Sequence, residues 1–352
     1  MSQRNQWLPH LAVLLGSIAI WFIIPLLKVP NTLVHPRNMS NVSEYLGPKT
    51  RDQWQEALEA LPATPEKIPA FFFGHGSPML AFPEDLKTDK RLDAMGPKGN
   101  LAAFLSDFGP ALLKKYKPKG IVVFSAHWET EGERLVTDYG DENPLLMDYF
   151  GFQKELYQLK FKSRGDTTLS HRIVDLYTEA GLQARTSPKS ETRGMDGRGF
   201  RGPGLDHGVF VPFRIMFGHE FLDIPIVQVS IDGSMSPERN WEIGSAVAKL
   251  REEGYLILSG GLMIHNLQDF GGFVESITSP YNAWNDAVLL AASVPEPEAR
   301  KQALIALTKH PGFRAAHPRE DHFVPLYVAA GAGGGSVSIL SALWGAPTFA
   351  FL

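Results

Sequence analysis

The sequence predicts an α/β protein, a single domain with a central, mostly parallel or mixed sheet flanked by helices and preceded by an N-terminal apolar helix. Three observations predict it. Short apolar runs of strand length, among them Ala70–Phe73, Gly120–Phe124 and Tyr255–Leu258, alternate with longer stretches of helical spacing. Alternation of that kind implies a sheet covered on both faces. The 352 residues, 44% hydrophobic and 20% charged, suit one large α/β domain, or at most two smaller ones.

The N-terminal end differs from the rest. Residues 11–27, LAVLLGSIAIWFIIPLL, carry no charge and reach the short limit of a membrane-spanning helix. The expected organisation is a hydrophobic anchor or targeting segment over residues 1–30, a linker with a short helix over 31–68, and a globular domain over 69–352. The location is then membrane-anchored, or cytoplasmic if that segment is not a true span. Arg4, Lys28 and Arg37 are too few to orient it. Sequons at Asn38 and Asn41 matter only on a luminal side.

Further elements follow in order. Arg51–Leu61 has the length of a short helix, and Leu101–Tyr116 has helical spacing. Arg134–Asp138 reads as a strand, Thr167–Ala180 as a helix and Ile224–Ile231 as a strand. Ser236 is an N-cap with Pro237 at the first helical position, and the helix runs to Glu253 with Ile243, Val247 and Leu250 on one face. Glu296–Lys309 is a further helix. Between Ser187 and Gly204 lies a polar, glycine-rich loop holding Arg193, Arg198 and Arg201; it reads as a lid, a site for a carboxylate-bearing substrate, or a solvated surface loop.

Composition excludes several chemistries. No cysteine means no disulfide framework, zinc finger or thiolate nucleophile. A net charge of −4 gives no basic field for nucleic acid. The glycine pattern at Gly197–Gly202 lacks the strand before and helix after that a dinucleotide site requires. No Gly-x-Ser-x-Gly elbow is present, and His219-Glu220 lacks the second histidine of a zinc-peptidase helix. Any metal must be held by His, Asp or Glu.

Four histidines stand in short glycine-punctuated segments: His75 in Phe-Gly-His-Gly-Ser-Pro, His127 in Phe-Ser-Ala-His-Trp, His207 in Leu-Asp-His-Gly, and His265 in Gly-Gly-Leu-Met-Ile-His-Asn. At least two of those segments follow apolar strands, and ligands in open α/β sheets bind beyond the carboxyl ends of the strands. Several imidazoles at such an edge make a metal site. His265 is expected past a turn at Gly260-Gly261. Glu129 is a further ligand, an orienting partner or a solvated residue. His322, in His-Pro-Arg-Glu-Asp-His-Phe-Val-Pro, is expected to line the site from a loop ahead of Pro325.

These segments, in this order, resemble the class III extradiol ring-cleavage dioxygenases, and within them the 4,5-DOPA dioxygenase branch. The likeness runs from about Pro69 to the C-terminus and leaves out the apolar segment. It implies one Fe(II) or Zn(II) per chain, with His75, His127 and His265 as ligands and His207 as the acid/base. In protocatechuate-type relatives the third ligand is a carboxylate, and here His265 takes that place. Ser77, Trp128, Glu129, Asp206, Asn266 and His322 are the expected substrate-lining or ligand-orienting residues, with Asp206 tuning His207, and Trp128 and Phe210 packing on an aromatic ring or in the core. The implied partners are a catechol and O₂, the ring opening beside its two hydroxyls to a semialdehyde, with membrane contact only through residues 11–27. Two other classes fit the same residues. One is a zinc hydrolase on the three-histidine site, and the other is a catalytically inactive, membrane-tethered binding module.

Overall fold

The computed structural model describes residues 47–63, 66–83, 90–193, 200 and 202–352. In chain order the helices and strands begin with α1 (Arg51–Ala60), β1 (Ala70–Gly74), α2 (Asn100–Tyr116), β2 (Ile121–Thr130) and β3 (Arg134–Asp138). Then come β4 (Lys162–Ser163), α3 (Thr167–Glu179), β5 (Ala184–Pro188), α4 (His207–Phe217), β6 (Glu220–Phe221) and β7 (Ile226–Asp232). The chain continues through α5 (Pro237–Ala246), β8 (Leu256–Gly261), α6 (Asn282–Ala292), α7 (Pro297–Ala306) and α8 (Phe313–Ala316). It ends with α9 (Pro325–Ala332), β9 (Val337–Ser341) and β10 (Thr348–Phe351).

Eight strands form one mixed sheet in the order β5-β3-β7-β2-β8-β1-β10-β9. The four central strands β7, β2, β8 and β1 are mutually parallel, so their carboxyl ends share one edge. β3 joins β7 antiparallel, and β10 and β9 close the other side antiparallel. Alternate strand residues enter two cores. Phe71, Phe73, Ile121, Val123, Leu256 and Leu258 pack under α1, α2 and α4 with Phe104, Phe108, Val209 and Phe213. On the opposite face Val122, Phe124, Val227, Val229 and Ile257 meet α3, α5 and α9 through Ile173, Ile243 and Val328. β1 and the first half of β2 are buried on both faces, which is why the sequence shows unbroken apolar runs there.

Three local expectations change. Helix α1, read within a linker, belongs to the globular body. Trp54 is buried edge-on against Phe104 at 5.7 Å, and Arg51 clasps Asp107 through Nε and Nη2. The helix begun at Ser236 and Pro237 ends at Ala246 and resumes as a 3₁₀ turn over Ala248–Arg251. That turn carries the Arg251 guanidinium to the carbonyls of Ile68, Ala332 and Phe351. Gly260 and Gly261 form no turn; they are the last rungs of β8 and pair with Phe73 and Gly74.

The apolar segment 11–27, the linker before Gly47, both sequons, Arg198 and Arg201 lie outside the described residues. Among the described residues, no helix is long and apolar enough to cross a membrane.

Candidate metal centre

Parallel pairing gathers the histidines. β1 ends at Gly74 and delivers His75, whose backbone N–H donates to the Gly261 carbonyl at 3.1 Å. β2 is ten residues long, and its ladder to β7 shifts register between Phe124 and Glu129. His127 lies in that irregularity, inside a strand rather than after one. Such a break re-aims a side chain without ending the strand. β8 ends at Gly261, and the chain passes through Leu262 to His265.

Glycine is required twice. A Cβ on Gly261 would sit 2.3 Å from the His322 carbonyl, which accepts from the Leu262 N–H at 2.9 Å. The missing side chain therefore lets the His322 loop rest on the strand end. A Cβ on Gly208 would lie 2.6 Å from the His127 ring and 2.7 Å from Ser125 Oγ. Helix α4 can thus begin directly against β2.

The imidazoles meet as a cluster. His75 and His127 are 5.1 Å apart between ring centroids, and His322 lies 5.1 Å from His75 and 4.8 Å from His127. One ligand-type atom from each of these three buried residues lies within 4.8 Å of the others. His207 packs on His127 at 4.0 Å and stands 6.3 Å from His75. His265 stacks face to face on His322, centroids 3.3 Å apart and planes 16° apart, and groups with Asp321 and His322. Burial, and then the His322 ring, push the His265 imidazole well below its ordinary range. His265 is therefore held neutral, the form that can donate a lone pair to a metal. His322, expected only to line the site, stands within the tightest trio, and His265 adjoins it.

The carboxylate beside His207 is Asp148, which the sequence reading missed. Asp148 Oδ1 accepts from the His207 backbone N–H at 2.8 Å and lies 2.8 Å from His207 Nδ1. Its Oδ2 is 3.6 Å from His127 Nδ1. One signal was available, since Asp148 is the single acid within an otherwise apolar run, Pro144–Phe152.

Asp206, expected to tune His207, faces elsewhere. Its carboxylate accepts from Ser125 Oγ at 2.7 Å, from Arg193 Nη2 at 2.9 Å and from the Gln228 amide. Arg193 is 1% exposed, so it is neither a solvated loop cation nor open to a substrate carboxylate. Its guanidinium also donates to the carbonyls of Gly204 and His127 and lies 4.4 Å over the Trp128 ring. Trp128 and Phe210 are wholly buried, and both serve the core. A buried cation is tolerated here because a carboxylate, two carbonyls and an aromatic face surround it.

The remaining expected residues hold loops. Ser77 Oγ accepts from the Met79 N–H and caps the 3₁₀ turn Pro78–Ala81. Glu129 is bound at both oxygens by Arg319 Nη2, which ties the end of β2 to the segment bearing His322. Arg319 also pairs with Asp321 at 3.3 Å. Asn266 donates to the Ala315 carbonyl at 2.9 Å, and the His265 N–H donates to Ala316 O at 2.8 Å. The His265 loop is thereby laced to α8.

Known proteins are similar to this chain over nearly the same span. A family model described as the catalytic LigB subunit of aromatic ring-opening dioxygenase matches residues 69–349. A 4,5-DOPA dioxygenase extradiol-like protein of Schizosaccharomyces pombe is 40% identical over 295 residues, 83% of this chain and 94% of that protein. The 4,5-DOPA dioxygenase extradiol of Beta vulgaris is 31% identical over 267 residues, 75% of this chain and 86% of its own. Among solved structures, an uncharacterized protein from Escherichia coli K12 aligns with a TM-score of 0.56 at 24% identity, covering 81% of this chain and 100% of that one. That last likeness concerns the fold alone.

Proposed function

The chain belongs to the LigB family of class III extradiol, aromatic ring-opening dioxygenases, and from that premise we propose that it opens a catechol-type ring, DOPA-like in class, with O₂ to give a semialdehyde. The observation that carries the reading is the buried cluster at the parallel strand ends, where His75, His127 and His322 bring ligand atoms within 4.8 Å of one another. The donor set fits a divalent metal such as Fe(II) or Zn(II), being imidazole nitrogens on a rigid sheet edge, one metal per chain. His75 and His127 are the proposed core of the site. The motif offers His265 as the third ligand, and the geometry offers His322, which stands in the trio with His75 and His127.

When bound, a redox-active metal there supplies coordination for the two catechol oxygens and a route for electrons from the ring to O₂. The protein's own residues do the rest. His207, against His127, is the proposed group that takes a proton from a catechol hydroxyl and returns it during ring opening, because imidazole exchanges protons near neutral pH. The Arg193–Asp206 pair holds β2 at Ser125 and at the His127 carbonyl, and the Glu129–Arg319 pair holds it two residues beyond His127. Burial of the cluster excludes bulk water from the reacting atoms.

The test is anaerobic reconstitution with Fe(II), followed by a catechol and then O₂. The expected result is oxygen uptake with a yellow ring-opened product, absent when Zn(II) replaces Fe(II). Ester or amide turnover with zinc and no ring opening would replace this reading with a hydrolase. Tight catechol binding with neither activity would leave a binding module.

A further inference from the structure

We propose that Asp148 is a positioning residue that fixes the tautomer and orientation of His207, holding its proton on Nδ1 and leaving Nε2 to exchange protons. The kinetic part of this role rests on the ring-opening reading; the tautomer does not. Backbone pairing sets Asp148 in place. The Leu146 N–H donates to Leu205 O and the Leu205 N–H to Pro144 O, both at 2.8 Å, so residues 144–146 run zipped alongside the approach to His207. Asp148 then stands at the N-terminus of α4, whose first residue is His207.

That end of the helix has an unusual division of labour. Asp206 occupies the N-cap position, yet its side chain makes no capping bond. It is committed to Ser125, Arg193 and Gln228. The Asp148 carboxylate instead accepts from the first N–H of α4, where unsatisfied donors and the helix dipole favour an anion. The same Oδ1 faces His207 Nδ1 at 2.8 Å. A carboxylate oxygen accepts, so the ring nitrogen facing it donates. In the neutral ring the proton then sits on Nδ1 and Nε2 carries the lone pair. The other oxygen lies 3.6 Å from His127 Nδ1, beyond hydrogen-bond range but close enough to favour the same tautomer there. One wholly buried carboxylate thus faces both the proposed acid/base and a proposed ligand.

A rival role is written in the same atoms. His127, Asp148 and His207 also bring ligand-type atoms within 4.8 Å of one another and could hold a metal between them. The experiment separates the two. Selectively ¹⁵N-histidine-labelled protein, metal-free and loaded with Zn(II), is examined by two-bond ¹H–¹⁵N correlation, with His207 assigned by loss of its signals in His207→Gln. The expected pattern for wild type is a protonated Nδ1 and an unprotonated Nε2. In Asp148→Asn a single neutral oxygen at the Oδ1 position still accepts from the His207 backbone N–H but holds Nδ1–H less strongly than a carboxylate does, and the share of His207 protonated on Nε2 rises. Metal content and Tm stay near wild type. With a catechol, kcat falls on the order of 10²–10⁴-fold while KM changes little, as for other carboxylates that orient a catalytic imidazole. Asp148→Glu restores part of kcat.

Protonated Nε2 in the wild type would overturn the proposal, and that measurement needs no variant to fold. So would an Asp148→Asn protein that loses metal while keeping the wild-type tautomer, because Asp148 would then be a ligand. If wild type opens no ring at all, the function reading falls, and the tautomer still decides the role of Asp148.

Discussion

His207 and His265 both stand in short glycine-punctuated segments of the sequence, yet the fold gives them opposite surroundings. His207 opens a helix and faces a carboxylate. His265 lies on a loop and faces another imidazole at 3.3 Å. A carboxylate partner orders a ring and can steady its charged form, whereas a stacked imidazole in a desolvated site opposes charge. The first environment suits proton exchange. The second suits a neutral lone-pair donor. Residue type sets what a histidine can do, and its neighbours set which of those things it does.

The largest effects should come from removing one side of that contrast entirely. His75→Ala and His127→Ala should lose metal and all ring-opening activity. His207→Ala should retain metal yet lose kcat by about 10²–10⁴-fold. Metal analysis alongside single-turnover kinetics checks this, and a metal-free His207→Ala protein would erase the distinction between the two histidines.

A smaller difference sharpens the second environment. His322 shares the trio with His75 and His127, whereas His265 reaches it across the stack. His322→Ala should therefore weaken metal binding more than His265→Ala, with competitive chelator titration as the measurement. The reverse order would make His265 the third ligand and His322 its support.

The smallest effect is one of pH. His317 lies wholly buried in the α8–α9 connection, its Nε2 2.9 Å from Met263 O, and burial lowers it from 6.5 to about 4. Above about pH 7 both folded and unfolded forms are neutral, and the shift costs nothing. As pH falls from 6.5 toward 4, the unfolded chain takes up a proton that the folded chain refuses, so stability is lost across that window. Roughly 2 kcal/mol should disappear between pH 7 and pH 5. Denaturant unfolding of metal-free wild type and His317→Gln, whose amide can still donate to Met263 O, should differ in slope by that amount. Parallel slopes would mean that His317 binds its proton equally well in the folded and unfolded chain, so that burial does not lower it.

Much of the fold was legible locally. The boundaries at Ala70, Tyr116, Arg134–Asp138 and Thr167 emerged from apolar periodicity, and Ser236-Pro237 marked a helix start through its own capping chemistry. The Gly260-Gly261 pair misled, because glycine reads as a turn where its use is close approach of the His322 backbone to a strand. The histidine segments marked the right edge of the sheet. Their partners were not legible. Asp206 adjoins His207 in sequence but turns to Arg193, and Asp148, 59 residues away, takes the imidazole.

Elements, their alternation and the supply of imidazoles are set by short-range sterics, hydrophobic period and residue chemistry, all of which can be read along the chain. Which carboxylate meets which imidazole, why Arg193 is buried over Trp128, and why His322 rather than a solvent molecule covers His265 depend on strand order and loop contacts between distant residues. Those contacts exist only after the sheet has brought β1, β2 and β8 side by side, because electrostatic partners are chosen by distance in space and carry no periodic trace in the sequence.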